Sequence, residues 1–453
     1  MDLAKEVAGE GQTGERVSAE FCSDFGRVAE RRPAVVLRPS SAAGVSRAVR
    51  FAAERGLQVA ARGAGHSQNG LSLSDQVLLD TRGLDRILQV DEERCTATCQ
   101  SGVTWRALLE RLLPLRLSPP VLTNNLDVTL AGTLSTAGLG VASWRRGTQA
   151  DHCLELEAVT GEGEMVRCSP ASEPELFDAL RAGLGMFGVI TEVKLQLRRH
   201  RPRVRTAYLL YDELDALTDD LQRVLREERF DYLESWCTPL PQGFRKAGAE
   251  RKPFAKWFFP LHATLEVDSN TAGDQLGGLR FYKHVHTEEA QIEEFFTRLD
   301  PLFVLWKRGG FWNWAHPWME CILPWEAAPF YVSQALANIP PAALLGGHIL
   351  LWPARGAASG VPLFVKPPGD YLMGFGILPA VARERLPEVL PSLAQASRAA
   401  VAMGGTRYLS GWLAFEPADW KEHYGSSWPA VVRLKRKYDP HGVFNLGWAL
   451  GDL

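Results

Sequence analysis

The chain has 453 residues, of which 46% are hydrophobic and 23% charged, and its formal net charge at pH 7 is -3. Charges of both signs are interspersed without a basic tail or stripe, so neither nucleic acid nor an anionic membrane is expected as a partner. The sequence contains no uninterrupted apolar stretch of about 18 residues and no apolar signal-peptide segment, and it therefore predicts a cytoplasmic protein. Because a single hydrophobic core rarely grows beyond about 300 residues, we expect two domains.

The seven cysteines are scattered and odd in number, which argues against a disulfide framework. Cys95 and Cys99 lie in CTATCQ, a run that alternates as a strand does and would place both side chains on one face. No histidine cluster or second ligand pair accompanies them in the sequence. We interpret them as two small buried thiols, and we expect no metal site.

The predicted elements begin with a β-α-β unit over residues 34–61, in which AVVL and LQVAA are strands. The helix between them starts at Ser40 and Ser41 and ends near Gly56, and its apolar positions at 45, 48, 49 and 52 share one face. Further predicted elements are strands VLLDT (77–81), CTATCQ (95–100), CLELEAVT (153–160), EMVRCS (164–169) and VITEVKLQL (189–197), a helix over Thr104–Leu112, and a hairpin turn at GEG between Thr160 and Glu164. Together they predict an α+β domain with a mixed sheet.

The composition changes after this first domain. A basic run, RRHRPRVR (198–205), predicts a solvated connection between domains. From about residue 206 onward, tryptophan and phenylalanine become dense. Such a concentration fits either a thick core or a pocket for a flat, apolar or aromatic ligand.

Three glycine-rich segments carry the clearest functional signal. In ARGAGHSQNG (61–70), Gly63, Gly65 and Gly70 can adopt φ > 0, so that the amides around residues 64–67 could face a pyrophosphate. On this loop alone, His66 fits an ordinary hydrogen-bonded loop histidine as well as a neighbour of a cofactor. LAGTLSTAGLG (130–140) and GLGMFGVIT (183–191) match neither a dinucleotide-binding GxGxxG nor a P-loop. Three such segments instead suggest one cofactor threaded through the domain.

The order of these motifs resembles the flavoenzymes of the vanillyl-alcohol-oxidase and p-cresol-methylhydroxylase superfamily, and most closely the cytokinin dehydrogenases. The resemblance also includes AHPWMECILP (315–324) and the ending WLAFEPADWKEHYGSSWPAVVRLKRKYDPHGVFNLG, and spans residues 20–450. It implies an α+β, two-domain FAD-binding PCMH-type fold, whose FAD domain is formed by the N-terminal and C-terminal segments and whose substrate domain has an antiparallel sheet covered by helices. The corresponding ranges are an N-terminal extension (1–25), an FAD-binding domain (26–200), a substrate-binding domain (201–405) and a C-terminal segment returning to the FAD domain (406–453).

The resemblance also assigns residues to the cofactor. It implies that His66 is joined covalently to the 8α-methyl of FAD, and such a bond would raise the flavin potential. The other positions implied to hold FAD are Ala61, Gly63, Ala64, Gly65 and Ser67 at the pyrophosphate, Thr129, Ser135, Leu139, Val189 and Ile190 at the flavin, and Asn445 closing over the cofactor. The residues of the second glycine-rich segment themselves add Gly132, Thr133 and Gly138, which offer a hydroxyl and bare backbone where a ring system or phosphate must approach closely.

The sequence departs from the cytokinin dehydrogenases at the catalytic base. Asn124 stands where those enzymes carry an aspartate that takes a proton from the substrate amine, and an amide cannot act as that base. Asp127 lies three residues further on, which places it on the opposite face of an extended segment, and we interpret it as structural. Glu234 resembles the family glutamate that contacts the substrate's adenine ring, although a strand-end glutamate is an alternative. Asn124 and Glu234 are our candidate catalytic positions.

Three further departures lie near the flavin positions. Leu71 and Trp448 replace polar family residues. Asn125 stands where doubly linked relatives place a second flavin-bonding cysteine, which predicts a single covalent bond.

These observations predict an FAD-dependent oxidoreductase that moves a hydride from an aromatic or apolar small molecule to flavin N5, in secondary metabolism, with oxygen or another electron acceptor. One alternative is an oxidative decarboxylase, with Arg355 and Lys366 binding a substrate carboxylate. Two others are a cytokinin dehydrogenase with a replaced base and a flavin-binding protein without turnover. For a phenolic substrate, the residues that could assist deprotonation are Tyr331, Tyr371, Tyr408, His316 and His348.

Overall fold

The computed structural model describes residues 11–13, 16–268, 275–344 and 346–444, so that Asn445 and Trp448 lie outside the described residues. Its strands are β1 Gly11–Thr13, β2 Val35–Leu37, β3 Val59–Arg62, β4 Val77–Asp80, β5 Ile87–Asp91, β6 Thr96–Gln100, β7 Leu117–Ser118, β8 Cys153–Val159, β9 Met165–Cys168, β10 Val189–Gln196, β11 Arg198–Arg199, β12 Arg203–Tyr211, β13 Tyr232–Ala247, β14 Glu250–Val267, β15 Lys283–Gln291, β16 Met319–Pro324, β17 His348–Arg355, β18 Tyr371–Leu378 and β19 Thr406–Arg407. Its α-helices are α1 Ala42–Glu54, α2 Trp105–Leu112, α3 Leu130–Leu134, α4 Ser143–Arg146, α5 Pro174–Leu180, α6 Leu214–Glu227, α7 Ile292–Phe296, α8 Asp300–Arg308, α9 Ala328–Asn338, α10 Leu386–Ala402, α11 Pro417–Tyr424 and α12 Trp428–Tyr438.

The predicted β-α-β unit is confirmed. Strands β2, β4 and β3 are neighbours and run parallel, with β1 added antiparallel at the edge. Ser41 caps helix α1 by accepting a hydrogen bond from the amide of Gly44 at 3.2 Å. The predicted apolar face of α1 is buried in the core beneath this sheet.

A second sheet has the strand order β5-β6-β10-β8-β9 and is antiparallel throughout. The hairpin between β8 and β9 closes through a hydrogen bond from the Thr160 amide to the Glu164 carbonyl, with Gly163 at φ +75. The single mixed sheet predicted from the sequence was therefore wrong in one respect: the strands divide into a mixed sheet and an antiparallel one. The prediction for Cys95 was also wrong, because this residue lies in the turn before β6 at φ +50 and is partly exposed, whereas Cys99 is buried.

The third sheet has eight strands in the order β15-β12-β14-β13-β17-β18-β16-β19, and all its pairs are antiparallel. Helices α6, α9 and α10 cover one face and bury its alternate apolar side chains in a separate core. The basic run at 198–205 was predicted only in part, since Arg199 and Arg201 are exposed but the run also forms β11 and the start of β12. The Arg198 side chain is only 13% exposed, because its guanidinium pairs with Glu266 and Tyr232.

The C-terminal helices return to the first half of the chain. Side chains of α11 and α12 share a core with strands β6, β8 and β10. Lys435 donates to the carbonyl of Met186 at 3.0 Å, and the amide of Val59 donates to the carbonyl of Val443 at 2.7 Å. This architecture confirms a two-part fold whose first part is completed by the C-terminal segment. Over the described ranges, no helix has both the length and the apolar character needed to span a bilayer.

Candidate active site

A cavity of about 340 Å³ lies between the glycine-rich segments and the uncovered face of the eight-stranded sheet. It brings together all the described residues that the sequence analysis assigned to FAD binding or to the two candidate catalytic positions, although these residues are distant in the chain. They are Ala61, Gly63, Ala64, Gly65, His66, Ser67, Asn124, Thr129, Gly132, Thr133, Ser135, Gly138, Leu139, Val189, Ile190 and Glu234. Asn445 falls outside the described residues, and the individual roles of all these residues stay predictions.

The loop at residues 63–67 lines this cavity, and several of its backbone amides are unpaired. Within the described residues, none of the amides at positions 64–67 donates a hydrogen bond to the protein. The carbonyls of Gly65 and Ser67, in contrast, are paired, and they accept from the amides of Phe25 and Gly26 at 2.8 and 3.0 Å. A run of free amides facing one side of a loop is an anion-binding arrangement.

The glycines of this loop serve two different purposes. Gly65 and Gly70 adopt φ values of +69 and +81, as predicted. Gly63 does not have positive φ, so that part of the prediction was wrong. Gly63 is instead required by close packing, because a Cβ there would lie 2.1 Å from Oγ1 of Thr129. The first two glycine-rich segments therefore touch at this position.

Asp24 holds the loop in place, a role that the sequence did not reveal. Its carboxylate accepts hydrogen bonds from the Ser67 hydroxyl at 2.9 Å and from the amides of Gly70 and Arg27 at 2.8 and 3.2 Å. Burial raises the pKa of Asp24, while these hydrogen bonds and the charge of Arg62 act in the opposite direction. The predicted extension up to residue 25 is thus part of the site.

His66 lies in a column of stacked rings. Its ring centroid is 4.1 Å from that of Phe25, which in turn is 4.1 Å from His316, and His316 stacks on Trp306 at 5.6 Å. Removal from solvent, with a smaller contribution from His316, lowers the pKa of His66 to about 3. The imidazole is therefore neutral at physiological pH, and one ring nitrogen keeps the lone pair that a covalent bond requires.

These features fit FAD. The free amides suit a pyrophosphate, and glycines line the wall where a ring system would lie. Buried polar atoms that lack a partner in the protein, Oε1 of Gln68 and Nε1 of Trp318, also belong to residues of the cavity wall. FAD bound here would supply a two-electron acceptor.

Asn124 and Glu234 are in contact with each other and with Arg298. The Asn124 amide donates to Oε1 of Glu234 at 3.1 Å and accepts from Arg298 at 3.1 Å. Arg298 also donates twice to Oε2 of Glu234, at 2.9 and 3.0 Å, and the Glu234 side chain is only 8% exposed. Glu234 is thus held as the anion of an ion pair rather than as a free base. Nothing in the sequence around Arg298 indicated this pairing.

Asp127 does not line the cavity. Its carboxylate pairs at 2.5 Å with Arg106, which also binds Asp300. This contact agrees with the structural role inferred from the sequence.

The sheet forms a largely apolar floor. The directly paired residues Trp236, Leu350, Gly376 and Glu320 form one row across strands β13, β17, β18 and β16, so their side-chain positions share one face. In the next row on the same face, the Trp352 side chain lies over its paired residue Gly374. A Cβ at position 374 would come within 1.8 Å of the Trp352 ring. Glycine at this position keeps the floor flat.

Glu320 is the second carboxylate of the cavity wall and was not singled out from the sequence. It is the sole charged residue of strand β16, MECILP, which could have served as a signal. Its carboxylate accepts from the Ser410 hydroxyl at 2.8 Å. Removal from bulk solvent raises the pKa of Glu320 to about 7, although Ser410 and the charge of Arg407 act in the opposite direction.

The candidate proton-handling residues divide into two groups. Tyr408 and His348 line the cavity, and burial lowers the pKa of His348 to about 4. Tyr331, Tyr371 and His316 do not line it, which contradicts the hypothesis that they assist deprotonation. The Tyr331 hydroxyl instead donates to the carbonyl of Ala396 at 2.9 Å.

The proposed carboxylate-binding residues lie elsewhere as well. Arg355 pairs with Glu228 at 2.9 Å, and Lys366 donates to the carbonyl of Ser359 at 2.8 Å. Among the residues that the structure describes, no arginine or lysine lines the cavity. The expectation that Arg355 and Lys366 bind a substrate carboxylate was wrong, because their side chains are engaged outside the site.

Comparison with known proteins agrees with this site. Residues 33–169 match the FAD binding domain family, and residues 259–450 match the family described as cytokinin dehydrogenase 1, FAD and cytokinin binding. The chain is 30% identical to cytokinin dehydrogenase 6 of Oryza sativa subsp. japonica over 489 residues, which cover 98% of this chain and 92% of the rice protein. It is 29% identical to cytokinin dehydrogenase 7 of the same organism over 486 residues, covering 98% and 92% of the two chains.

A bacterial relative covers a similar extent. The "uncharacterized oxidoreductase ORF5 in fasciation locus" of Rhodococcoides fascians is 28% identical over 437 residues, which cover 94% of this chain and 96% of that protein. Together with a cavity whose free amides, glycines and neutral histidine suit FAD, these matches show that the chain belongs to the cytokinin dehydrogenase family of FAD-dependent oxidoreductases.

Proposed function

We propose that this enzyme carries FAD on a single covalent bond to His66 and removes a hydride from a neutral, flat aromatic molecule. The composition of the cavity is the main support for this proposal. An aromatic and aliphatic floor faces the cofactor segments, and no cationic side chain among the described residues lines the cavity. Apolar surface favours a flat hydrophobic ligand, and the lack of a cation disfavours a carboxylate.

The covalent bond is supported by the state of His66. The imidazole is neutral, is fixed by stacking on Phe25, and lines the same cavity as the free amides at residues 64–67. Asn125 also lines this cavity and offers no thiol for a second bond.

Oxygen or another electron acceptor would reoxidise the flavin. Substrates of this aromatic, apolar kind fit secondary metabolism. The described residues show all seven cysteines as free thiols, which favours a reducing compartment, and we therefore include a cytoplasmic location in the proposal.

A cytokinin is a specific candidate substrate. The rice relatives are named cytokinin dehydrogenases, and Glu234 lies on the cavity wall, as expected for a contact with an adenine ring. Oxidative decarboxylation is less well supported, because Arg355 and Lys366 lie outside the cavity.

The test is anaerobic mixing of the holoenzyme with matched pairs of aromatic compounds, each pair consisting of a neutral molecule and its carboxylated analogue. Isopentenyl adenine represents the cytokinins in this panel. Neutral members should bleach the visible absorbance of the flavin, while their carboxylated partners should not. Bleaching by carboxylates alone would overturn the substrate class, and a flavin that stays oxidised throughout would favour a binder without turnover.

A further inference from the structure

The cavity contains two carboxylates among its described lining residues, and only one of them lacks a countercharge. Glu234 is neutralised by Arg298, and the Asn124 amide that joins them cannot accept a proton near neutral pH. Glu320 forms no ion pair in the part of the chain that the structure describes. The position of a proton acceptor, left vacant by Asn124, therefore has one remaining acidic candidate.

Glu320 is positioned by the sheet to face a ligand. It occupies the same row as Trp236, Leu350 and Gly376, so its side chain projects from the apolar floor. Three strand spacings, roughly 14 Å in all, separate Glu320 from Trp236. A flat molecule lying on this floor would reach Glu320 at one end and the Asn124–Glu234 pair at the other.

The surroundings of Glu320 leave its carboxylate available. Ser410 donates to Oε2, and no donor to Oε1 is found within the described residues. The charge of Arg407 acts on Glu320, but its guanidinium is hydrogen-bonded to other groups. Its Nε donates to the carbonyl of Glu320 at 3.0 Å, its Nη2 to the carbonyl of Trp412 at 2.8 Å and its Nη1 to the hydroxyl of Ser397. Two other titratable groups lie near Glu320: Tyr408, and Cys321 on the opposite face of the same strand. Both are neutral because burial raises the pKa of each.

Glu320 also lies close to the cofactor segments. Ser410 and the hydroxyl of Tyr408 are neighbours, and Tyr408 reaches Thr136 and the backbone of Leu139 in the second glycine-rich segment. The carboxylate therefore lies where the floor meets residues predicted to line the flavin.

We propose that Glu320 is the proton acceptor of the reaction and binds the N–H or O–H group of the substrate, in place of an aspartate at position 124. In this step the substrate C–H bond breaks and its electron pair leaves as a hydride to FAD, which is reduced by two electrons. The adjacent N–H or O–H bond breaks as well, and its proton forms an O–H bond with the Glu320 carboxylate. The substrate is thereby oxidised to an imine or a carbonyl compound.

The protonation behaviour of Glu320 suits this role. With a pKa of about 7, the carboxyl is available in both forms near neutral pH, as a general base requires. This inference rests on the proposed function, because the proton transfer accompanies oxidation of a substrate by FAD.

The experiment compares Glu320→Gln with Glu326→Gln, an exposed glutamate in the turn after the same strand. Anaerobic flavin reduction by a substrate that bleaches the wild-type enzyme is followed from pH 5 to pH 9. We expect Glu320→Gln to be slower by about 100-fold or more at pH 8 and to lose the inflection near pH 7, while Glu326→Gln matches the wild type. Rates for Glu320→Gln within about threefold of the wild type at every pH would overturn the proposal.

A second readout does not depend on turnover. Infrared difference spectra of the oxidised holoenzymes should show a carboxyl band that titrates near pH 7 in the wild type and is missing from Glu320→Gln. If wild-type flavin is not bleached by any substrate, the proposed function fails while this titration still reports on Glu320. A wild type without such a band overturns the inference on Glu320 alone.

Glu320→Asp covers the case in which the glutamine variant does not fold or bind FAD. It keeps the carboxylate on a side chain one methylene shorter. It should reduce flavin more slowly than the wild type but retain a pH inflection, and a profile without an inflection would count against Glu320.

Discussion

Glu234 and Glu320 lie on the same face of one sheet but in opposite electrostatic states. Glu234 receives two hydrogen bonds from Arg298 and is held as an ion pair, whereas Glu320 receives one from the hydroxyl of Ser410. The first carboxylate is engaged in an ion pair, and the second can exchange a proton near neutral pH. We therefore assign substrate binding to the end of the cavity at Glu234 and proton transfer to the end at Glu320.

The bond between His66 and the flavin is tested by His66→Ala. We expect FAD to become noncovalent, because no other residue in the GAGHS segment offers a comparable nucleophile. Acid precipitation should then release all the flavin into the supernatant, while the wild type and the exposed control His441→Ala retain it on the protein. Flavin that stays bound to precipitated His66→Ala would place the attachment elsewhere.

The contact between the first two glycine-rich segments is tested by Gly63→Ala. The added Cβ would lie 2.1 Å from Oγ1 of Thr129, so the segments must separate. We expect a loss of about 1–3 kcal/mol in stability and weaker retention of FAD. Thermal unfolding and flavin content measure these effects.

The matched control for this substitution is Gly360→Ala, since nothing lies within 4 Å of a Cβ at Gly360. The double variant Gly63→Ala/Thr129→Ala should recover part of the lost stability. Equal melting temperatures for Gly63→Ala and Gly360→Ala would contradict the packing argument.

The ion pair between Arg298 and Glu234 is tested by a double-mutant cycle. Arg298→Met leaves a largely buried carboxylate without its partner, and we expect it to lower stability by about 3–5 kcal/mol. Adding Glu234→Gln should restore most of that loss, because the uncompensated charge is removed. Additive effects of the two changes in thermal unfolding would show that the pair is not coupled.

The pKa of Glu320 also predicts a pH dependence of stability. Folding raises this pKa from 4.5 to about 7, so the contribution of Glu320 is fully present below the lower value and is lost as the pH rises through 7. Relative to Glu320→Gln, the melting temperature of the wild type should therefore fall between pH 5 and pH 8. A constant difference between the two proteins over this range would be inconsistent with a raised pKa.

The sequence predicted the parts of this protein that depend on local pattern. The β-α-β unit, Ser41 as a helix cap and the glycines at 65 and 70 follow from short-range periodicity and turn chemistry. Gly63 was placed correctly in the cavity for the wrong reason, since its neighbour Thr129 is 66 positions away and only the fold brings them together.

The missed features all depend on long-range pairing. The contacts of Asp24 with Ser67, of Glu234 with Arg298 and of Glu320 with Ser410 join residues that are 43, 64 and 90 positions apart. No local pattern carries such information. The basic run at 198–205 shows the same limit, because burial of Arg198 is stabilised by Glu266, a residue on another strand.

We propose above all that this protein oxidises a neutral aromatic substrate by transferring its hydride to bound flavin. The most direct test is single-turnover flavin reduction under anaerobic conditions, with the most reactive neutral compound of the panel and the same compound carrying deuterium at the oxidised carbon. We predict full two-electron bleaching that is slower for the deuterated compound, as expected when the C–H bond breaks in the measured step. Bleaching at the same rate for both compounds, or by carboxylated analogues only, would contradict the account.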